Sequence, residues 1–254
     1  MITVKNIYDF IDGFSPFETA MSFDNVGILV GDTAAETKKV LVTLDVSPEA
    51  VSEAKDKNCD LIVSHHPVIF HPLRSLKCDD IVYTLAKSDI SVISAHTNLD
   101  MAKGGVNDCL CDALGIFDVA EMFFDGCPIG RTGKISRMKT EDFMRLVKER
   151  LSANAVRYAK GSDYCEKIAV VCGSGGDGVD EAIAAGADTL LTGEAKYNHF
   201  LYAAEKKINL IEAGHFATEN VVVPVLCKKL SEKFPEVEFV ISERNKELPL
   251  LFNL

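Results

Sequence analysis

The chain has 254 residues, 47% of them hydrophobic, with a formal net charge of −11; that is enough to bury a large core as one big α/β domain or two smaller ones. Lysine and arginine are scattered, so no basic face is expected to displace counterions from nucleic acid or to hold an acidic membrane surface. Eight cysteines without a C-x-x-C pair read as reduced, mostly buried thiols of a cytoplasmic protein, not as a disulfide frame.

The opening MITVKNIYDFIDGF carries acidic residues in its first turns and has no basic stretch followed by an unbroken apolar run, so no secretory leader is expected. No later segment reaches membrane-spanning length. From about residue 40 onward, short β-branched runs alternate with stretches of helical period, which predicts βαβ units and largely parallel sheets. The predicted strands are 40–46, 61–65, 91–96, 167–172, 189–193, 208–214 and 237–242. Ser47 and Pro48 are placed to cap and open a helix, and Gly115 to end one. TEDFMRLVKERLS, acidic at its start and basic at its end, reads as an amphipathic helix matched to its own dipole. The glycines and proline of FDVAEMFFDGCPIGRTGKISR break the alternation, so the division is placed there, with a first α/β half over 1–124 and a second over 125–254. Both halves run strand, polar loop, helix.

Histidine is scarce, six in all, and five fall in or beside loops that leave predicted strands. Ligands of open parallel sheets bind beyond the carboxyl ends of the strands. LIVSHHP carries His65 and His66 to such a place, SAHTNLD adds His96 and, in the loop before a helix, Asp100, and EAGHFATE adds His215 and Glu219, with Thr218 able to start a helix. In a helical turn the spacing of four puts His215 and Glu219 on one face. Each motif alone has a plain reading as a hydrogen-bonded strand end, a cap or a surface ion pair. Their conjunction at three strand ends points to a shared metal site. Imidazole and carboxylate donors without thiolate suit two divalent ions such as zinc, iron, manganese, cobalt or nickel, and five ligands leave coordination positions for water and substrate, as a hydrolytic site needs. His199 and His71 read as a helix residue and a loop residue.

One motif competes. GSGGDG at 173–178 follows a strand and matches G-x-G-x-x-G, with Glu194 beyond the next strand where a ribose-binding carboxylate would belong. A dinucleotide fold normally opens with this unit, and here it comes late. The plain reading is a glycine-rich strand-to-helix turn, whose helix start could still meet a substrate phosphate.

The motifs SFDNVGILVGD, LIVSHHPVIFHPLRSL, SAHTNLDMAKGGVND, IGRTGKI, CGSGGDGVDEAIAAGADTLLTGE and AGHFATE together resemble the Nif-three-like proteins, often labelled GTP cyclohydrolase 1 type 2 homologues, over nearly the whole chain. The resemblance implies an α/β fold of two similar halves, a dinuclear metal site in the cleft between them and a toroidal homohexamer built as a trimer of dimers. By the same resemblance, His65 and His66 are ligands to different ions, Asp100 joins one, His215 the other, and Glu219 bridges both. His96 matches a histidine near the site and is the candidate for proton transfer or substrate positioning. Some relatives insert a domain between the halves; Gly130 to Gly161 is too short for one. Some have a second histidine where Phe216 stands.

Three functions follow as expectations. The first is a metal-dependent hydrolase of a small nucleotide-like, phosphorylated or cyclic amide substrate. The second is a non-enzymatic metal-binding ring that recruits partners, and the third a dinucleotide-dependent enzyme using residues 173–178.

Overall fold

The computed structural model describes residues 1–248 and 250. The chain forms two compact units, residues 1–103 with 223–246 and residues 104–222 with the described residues beyond 246. The first contains α1 (Val4–Phe14), β1 (Gly27–Val30), β2 (Lys39–Thr43), α2 (Pro48–Asp56), β3 (Leu61–Ser64), α3 (Ile81–Lys87), β4 (Ser91–Ser94) and α4 (Thr97–Met101). The second contains α5 (Val106–Leu114), β5 (Phe117–Phe124), β6 (Cys127–Lys139), α6 (Thr140–Arg150), β7 (Arg157–Ala159), β8 (Tyr164–Val171), α7 (Val179–Ala184), β9 (Thr189–Thr192), α8 (Tyr197–Lys206), β10 (Asn209–Glu212) and α9 (His215–Glu219). α10 (Val222–Lys233) then returns the chain to the first unit, which β11 (Glu238–Ile241) completes.

The first sheet has the order β1-β4-β3-β2-β11 and is parallel apart from β1, which pairs antiparallel with β4. Every residue of β3 and β4 is buried, as expected of parallel strands covered on both faces and written as continuous apolar runs. Leu41, Ile62 and Val92 pack with Ala50, Val51 and Ala54 of α2 and Leu85 of α3. Each large apolar side chain so buried contributes about 1.5–3 kcal/mol. Ser47 caps α2 as expected, its side chain accepting from the Ala50 N–H, with Pro48 at the first position.

The second sheet has the order β5-β6-β8-β9-β10-β7 and is parallel only along β8, β9 and β10; its other three pairings are antiparallel. Largely parallel pairing therefore describes the first sheet, and the centre of the second. The segment expected to be a boundary is instead the β5–β6 hairpin, which lies wholly in the second unit. Asp125 and Gly126 both have positive φ, 46° and 83°, as a two-residue hairpin turn requires. The division at 124/125 thus falls on this turn, whereas the compact units part at residue 103 and again at 222. Gly115 ends α5 in the left-handed region, φ 70°, and α6 has the expected acidic start and basic end.

Register decides where the loops emerge. Thr43, Ser64 and Ser94 are aligned partners across β2, β3 and β4, so the strands end level and Asp45, His65, His66 and His96 leave from one rim. In the second unit Val171, Thr192 and Glu212 are aligned in the same way, and residue 173, Glu194 and His215 follow. Cys59, Cys109, Cys111, Cys165, Cys172 and Cys227 are buried, which fits their reading as small apolar residues. No helix among the described residues is long and apolar enough to cross a membrane.

Candidate metal centre

In the first unit three imidazoles meet at the rim. The ring centroids of His65, His66 and His96 lie 4.9, 5.1 and 5.4 Å apart pairwise, and one nitrogen from each comes within 4.8 Å of the others. Each ring is oriented through Nδ1. His65 Nδ1 lies 2.9 Å from the Ala95 carbonyl, which can only accept, so Nδ1 carries the proton and Nε2 is the lone-pair atom. His66 Nδ1 lies 2.7 Å from Asp45 Oδ1, and His96 Nδ1 lies 2.9 Å from Asp24 Oδ1. A carboxylate behind an imidazole is the arrangement that orients a metal-binding histidine and raises its basicity.

Asp24 is fully buried on its side chain and also accepts from the Thr97 N–H at 3.0 Å and the Thr97 hydroxyl at 2.5 Å. Burial pushes its carboxyl up, but the hydrogen bonds from His96 and Thr97 outweigh this and hold it well below the usual carboxylate range. The charge is thereby kept beside His96. Asp100, 7% exposed, places Oδ1 3.5 Å from His65 Nε2. It sits within the short helix α4 and not in a loop, because His96 takes a non-helical conformation and the Asp100 N–H already bonds to the His96 carbonyl at 3.0 Å.

In the second unit His215 and Glu219 occupy opposite ends of α9, with His215 Nε2 3.0 Å from Glu219 Oε2. The expected spacing of four on one helical face is what the structure has. Gly214, φ 96°, precedes the helix. Thr218 is inside it, its hydroxyl donating to the Gly214 and His215 carbonyls, so it does not start the helix as expected. Glu194 Oε1 lies 3.4 Å from His215 Nδ1 and plays toward His215 the part Asp45 plays toward His66. Glu219 is 3% exposed and lies against Gly173, where an added Cβ would collide with its Oε1.

The glycine loop therefore has its task inside the fold. The Gly173 N–H reaches the Thr218 hydroxyl, the Gly175 N–H the Thr192 hydroxyl, and the N–H groups of Gly176 and Gly178 the carbonyls of Glu194 and Gly175. Backbone donors that would cradle a pyrophosphate are spent on neighbours, and Glu194 turns to His215. The strand-to-helix turn is the reading that stands. A cavity of about 570 Å³ in the same unit opens at His215 and is walled by Arg157, Ser174, Lys196, His199 and Glu212. His199 lies on α8 with Nδ1 accepting from the Lys196 N–H, and His71 is an exposed loop residue, as expected of both.

Both donor groups consist of imidazole nitrogen and carboxylate oxygen, the set that suits borderline divalent ions. Sequence reasoning missed Asp24, Asp45 and Glu194, the carboxylates behind the rings, and Gly173, the seat of Glu219. Asp45 was read as part of the strand 40–46 and no strand was expected near Asp24, so neither stood out as a residue at a strand end.

The sequence profile described as Duf34/NIF3 (NGG1p interacting factor 3) matches residues 2–247. A GTP cyclohydrolase 1 type 2 homolog of Clostridium perfringens is 33% identical over 96% of this chain and 97% of its own, and one of Clostridium acetobutylicum 34% identical over 90% of each. Among solved structures, the Staphylococcus aureus hypothetical protein SA1388 is similar with a TM-score of 0.92 and 28% identity, covering 98% of this chain and 99% of that one. Reduced HcgD from Methanocaldococcus jannaschii is similar with a TM-score of 0.84 and 27% identity, covering 95% and 98%. With its motifs, its two α/β units and this match over nearly its full length, the chain belongs to the DUF34/NIF3 family.

Proposed function

We propose that the protein binds two divalent metal ions through His65, His66 and Asp100 of the first unit and His215 and Glu219 of the second, and uses them to hydrolyse a small substrate. The observation that carries this reading is the pairing repeated in each unit: a histidine and a buried carboxylate within 3.5 Å at the ends of level parallel strands, His65 with Asp100 and His215 with Glu219. Buried imidazole–carboxylate pairs concentrate at functional sites. His66 would serve one ion from its Asp45-held ring, and Glu219 would be shared, as the family resemblance implies.

Divalent ions supply Lewis-acid polarisation and a water acidic enough to attack near neutral pH. The protein's own groups would do the rest. His96, held by the Asp24 charge, is the group proposed to pass a proton to or from substrate. The cavity at His215 fits a small molecule in size, and the name shared by the relatives points to a nucleotide-like or cyclic amide substrate. A homohexamer in the cytoplasm is part of the same proposal, on the family resemblance.

Elemental analysis of freshly purified wild type and Glu219→Ala tests the site. The expected result is about two ions per chain in the wild type and a collapse of that ratio in the variant; an unchanged ratio refutes the assignment. Hydrolysis of a panel of nucleotides, phosphoesters and cyclic amides, abolished by chelation, is expected next. Full metal loading with no turnover would favour the non-enzymatic metal-binding reading.

A further inference from the structure

Two aromatic side chains beside the histidine cluster are left exposed in a way the core does not explain. Phe23 is 59% and Phe70 38% exposed. Single exposed apolar residues are ordinary on a protein surface, but these two touch, with ring centroids 6.4 Å apart and planes tilted by 51°. The Phe70 ring also stands edge-on to His96, 6.3 Å between centroids. All of these residues belong to the first unit.

Both phenyl rings are anchored to the cluster through the backbone. Phe23 precedes Asp24, whose carboxylate holds His96 and Thr97. Phe70 follows Ile69, whose carbonyl accepts a hydrogen bond of 2.5 Å from the Asn25 side chain. The segments carrying the two rings are thus tied to each other and to the imidazole. His96 Nδ1 is committed to Asp24, so Nε2 is the ring nitrogen through which it would meet a ligand.

We infer that Phe23 and Phe70 form a stacking subsite for a planar heteroaromatic ring, the chemical class of purine and pyrimidine bases, whose polar edge meets His96. Aromatic faces hold such rings whatever their substituents, and the adjacent imidazole selects a ring with a hydrogen-bonding edge over a plain hydrocarbon. The inference deepens the proposed function by naming what the substrate carries, and rests on it only for the reacting group; stacking itself needs no ion.

The test is calorimetric titration of the full chain, both metal-loaded and chelator-stripped, with adenosine and with ribose as probes, on wild type, Phe23→Leu, Phe70→Leu and the double variant. Wild type is expected to bind adenosine at least about tenfold more tightly than ribose in both preparations, each single variant to weaken adenosine by about 5–30-fold, and the double variant to lose the preference. Phe70→Tyr, which keeps the ring, should retain it. Unchanged metal content and circular dichroism would separate this from misfolding. Equal binding of the two probes, no binding of either, or a preference that survives in the double variant overturns the inference. Because the stripped protein is titrated separately, absence of metal and absence of stacking are read independently.

Discussion

Gly173 and Glu219 share a space that only a hydrogen atom can occupy: a Cβ on Gly173 would run into Glu219 Oε1, and the residue's φ of +58° is one that side chains rarely adopt. The glycine that looked like part of a nucleotide loop is the seat of a candidate bridging carboxylate. Gly173→Ala should therefore displace Glu219 as well as strain the backbone. The strain costs about 1–2 kcal/mol, or roughly 2–8 °C in melting temperature for a chain of this size. Metal affinity, read by competition with a chelator, should fall at least tenfold. Gly126→Ala is the control, since its φ is +83° but nothing lies within 4 Å of an added Cβ; it should show the strain and keep the metal.

The carboxylates behind the rings should matter without touching an ion. Asp45→Ala removes the acceptor of the His66 Nδ1–H, freeing the ring to rotate and lowering its basicity. Metal affinity should drop by about 10–100-fold while stability changes little, as is typical for groups that orient a ligand. Equal affinity in the variant would show that His66 is oriented by something else.

Asp24→Asn should separate proton transfer from metal binding. The substitution leaves an acceptor for His96 Nδ1 but removes the buried charge beside the ring. Metal content should stay at the wild-type ratio, while hydrolysis of whichever panel substrate is turned over falls. A matching loss of metal would instead place His96 among the ligands.

Glu53 makes a pH prediction remote from the site. Its carboxylate, 1% exposed on α2, takes hydrogen bonds from the Ser242 hydroxyl, the backbone N–H groups of Glu243 and Arg244, and Lys57 Nζ. Burial pushes its pKa up, but these donors outweigh it and bring the value down to about 2 from an ordinary 4.5. A depressed folded-state pKa stabilises above the unfolded value and ceases to do so as pH falls through the folded one. Stability should therefore decline between about pH 4.5 and 2. Glu53→Gln turns an amide donor toward groups that donate. Urea unfolding at pH 7 should show a loss of about 1.5–3 kcal/mol, and the gap from wild type should close at pH 2.

Strands such as β3 and β4 were legible because a parallel strand buried on both faces must be written as an apolar run, and LIVS and SVIS are that. β5 and β6 were not, since the exposed residues of β5 and the internal glycines of β6 leave no clear alternation. The Asp125–Gly126 pair was the available hairpin signal. The compact units could not be cut from local composition at all, because α10 and β11 return to the first unit and β11 adds to the edge at β2. Such a return depends on pairing between residues some 200 positions apart in the chain.

By itself the sequence determined the apolar parallel strands, the helix between them that Ser47 and Pro48 open, and the histidines that follow strand ends, because these depend on neighbours within a turn or two of chain. Only the tertiary structure decided that Thr43, Ser64 and Ser94 end level, that Asp24 and Asp45 stand behind imidazoles, and that the glycine loop holds Glu219 and spends its amides within the fold. Those facts depend on register and on hydrogen bonds between distant segments, and no local pattern encodes either.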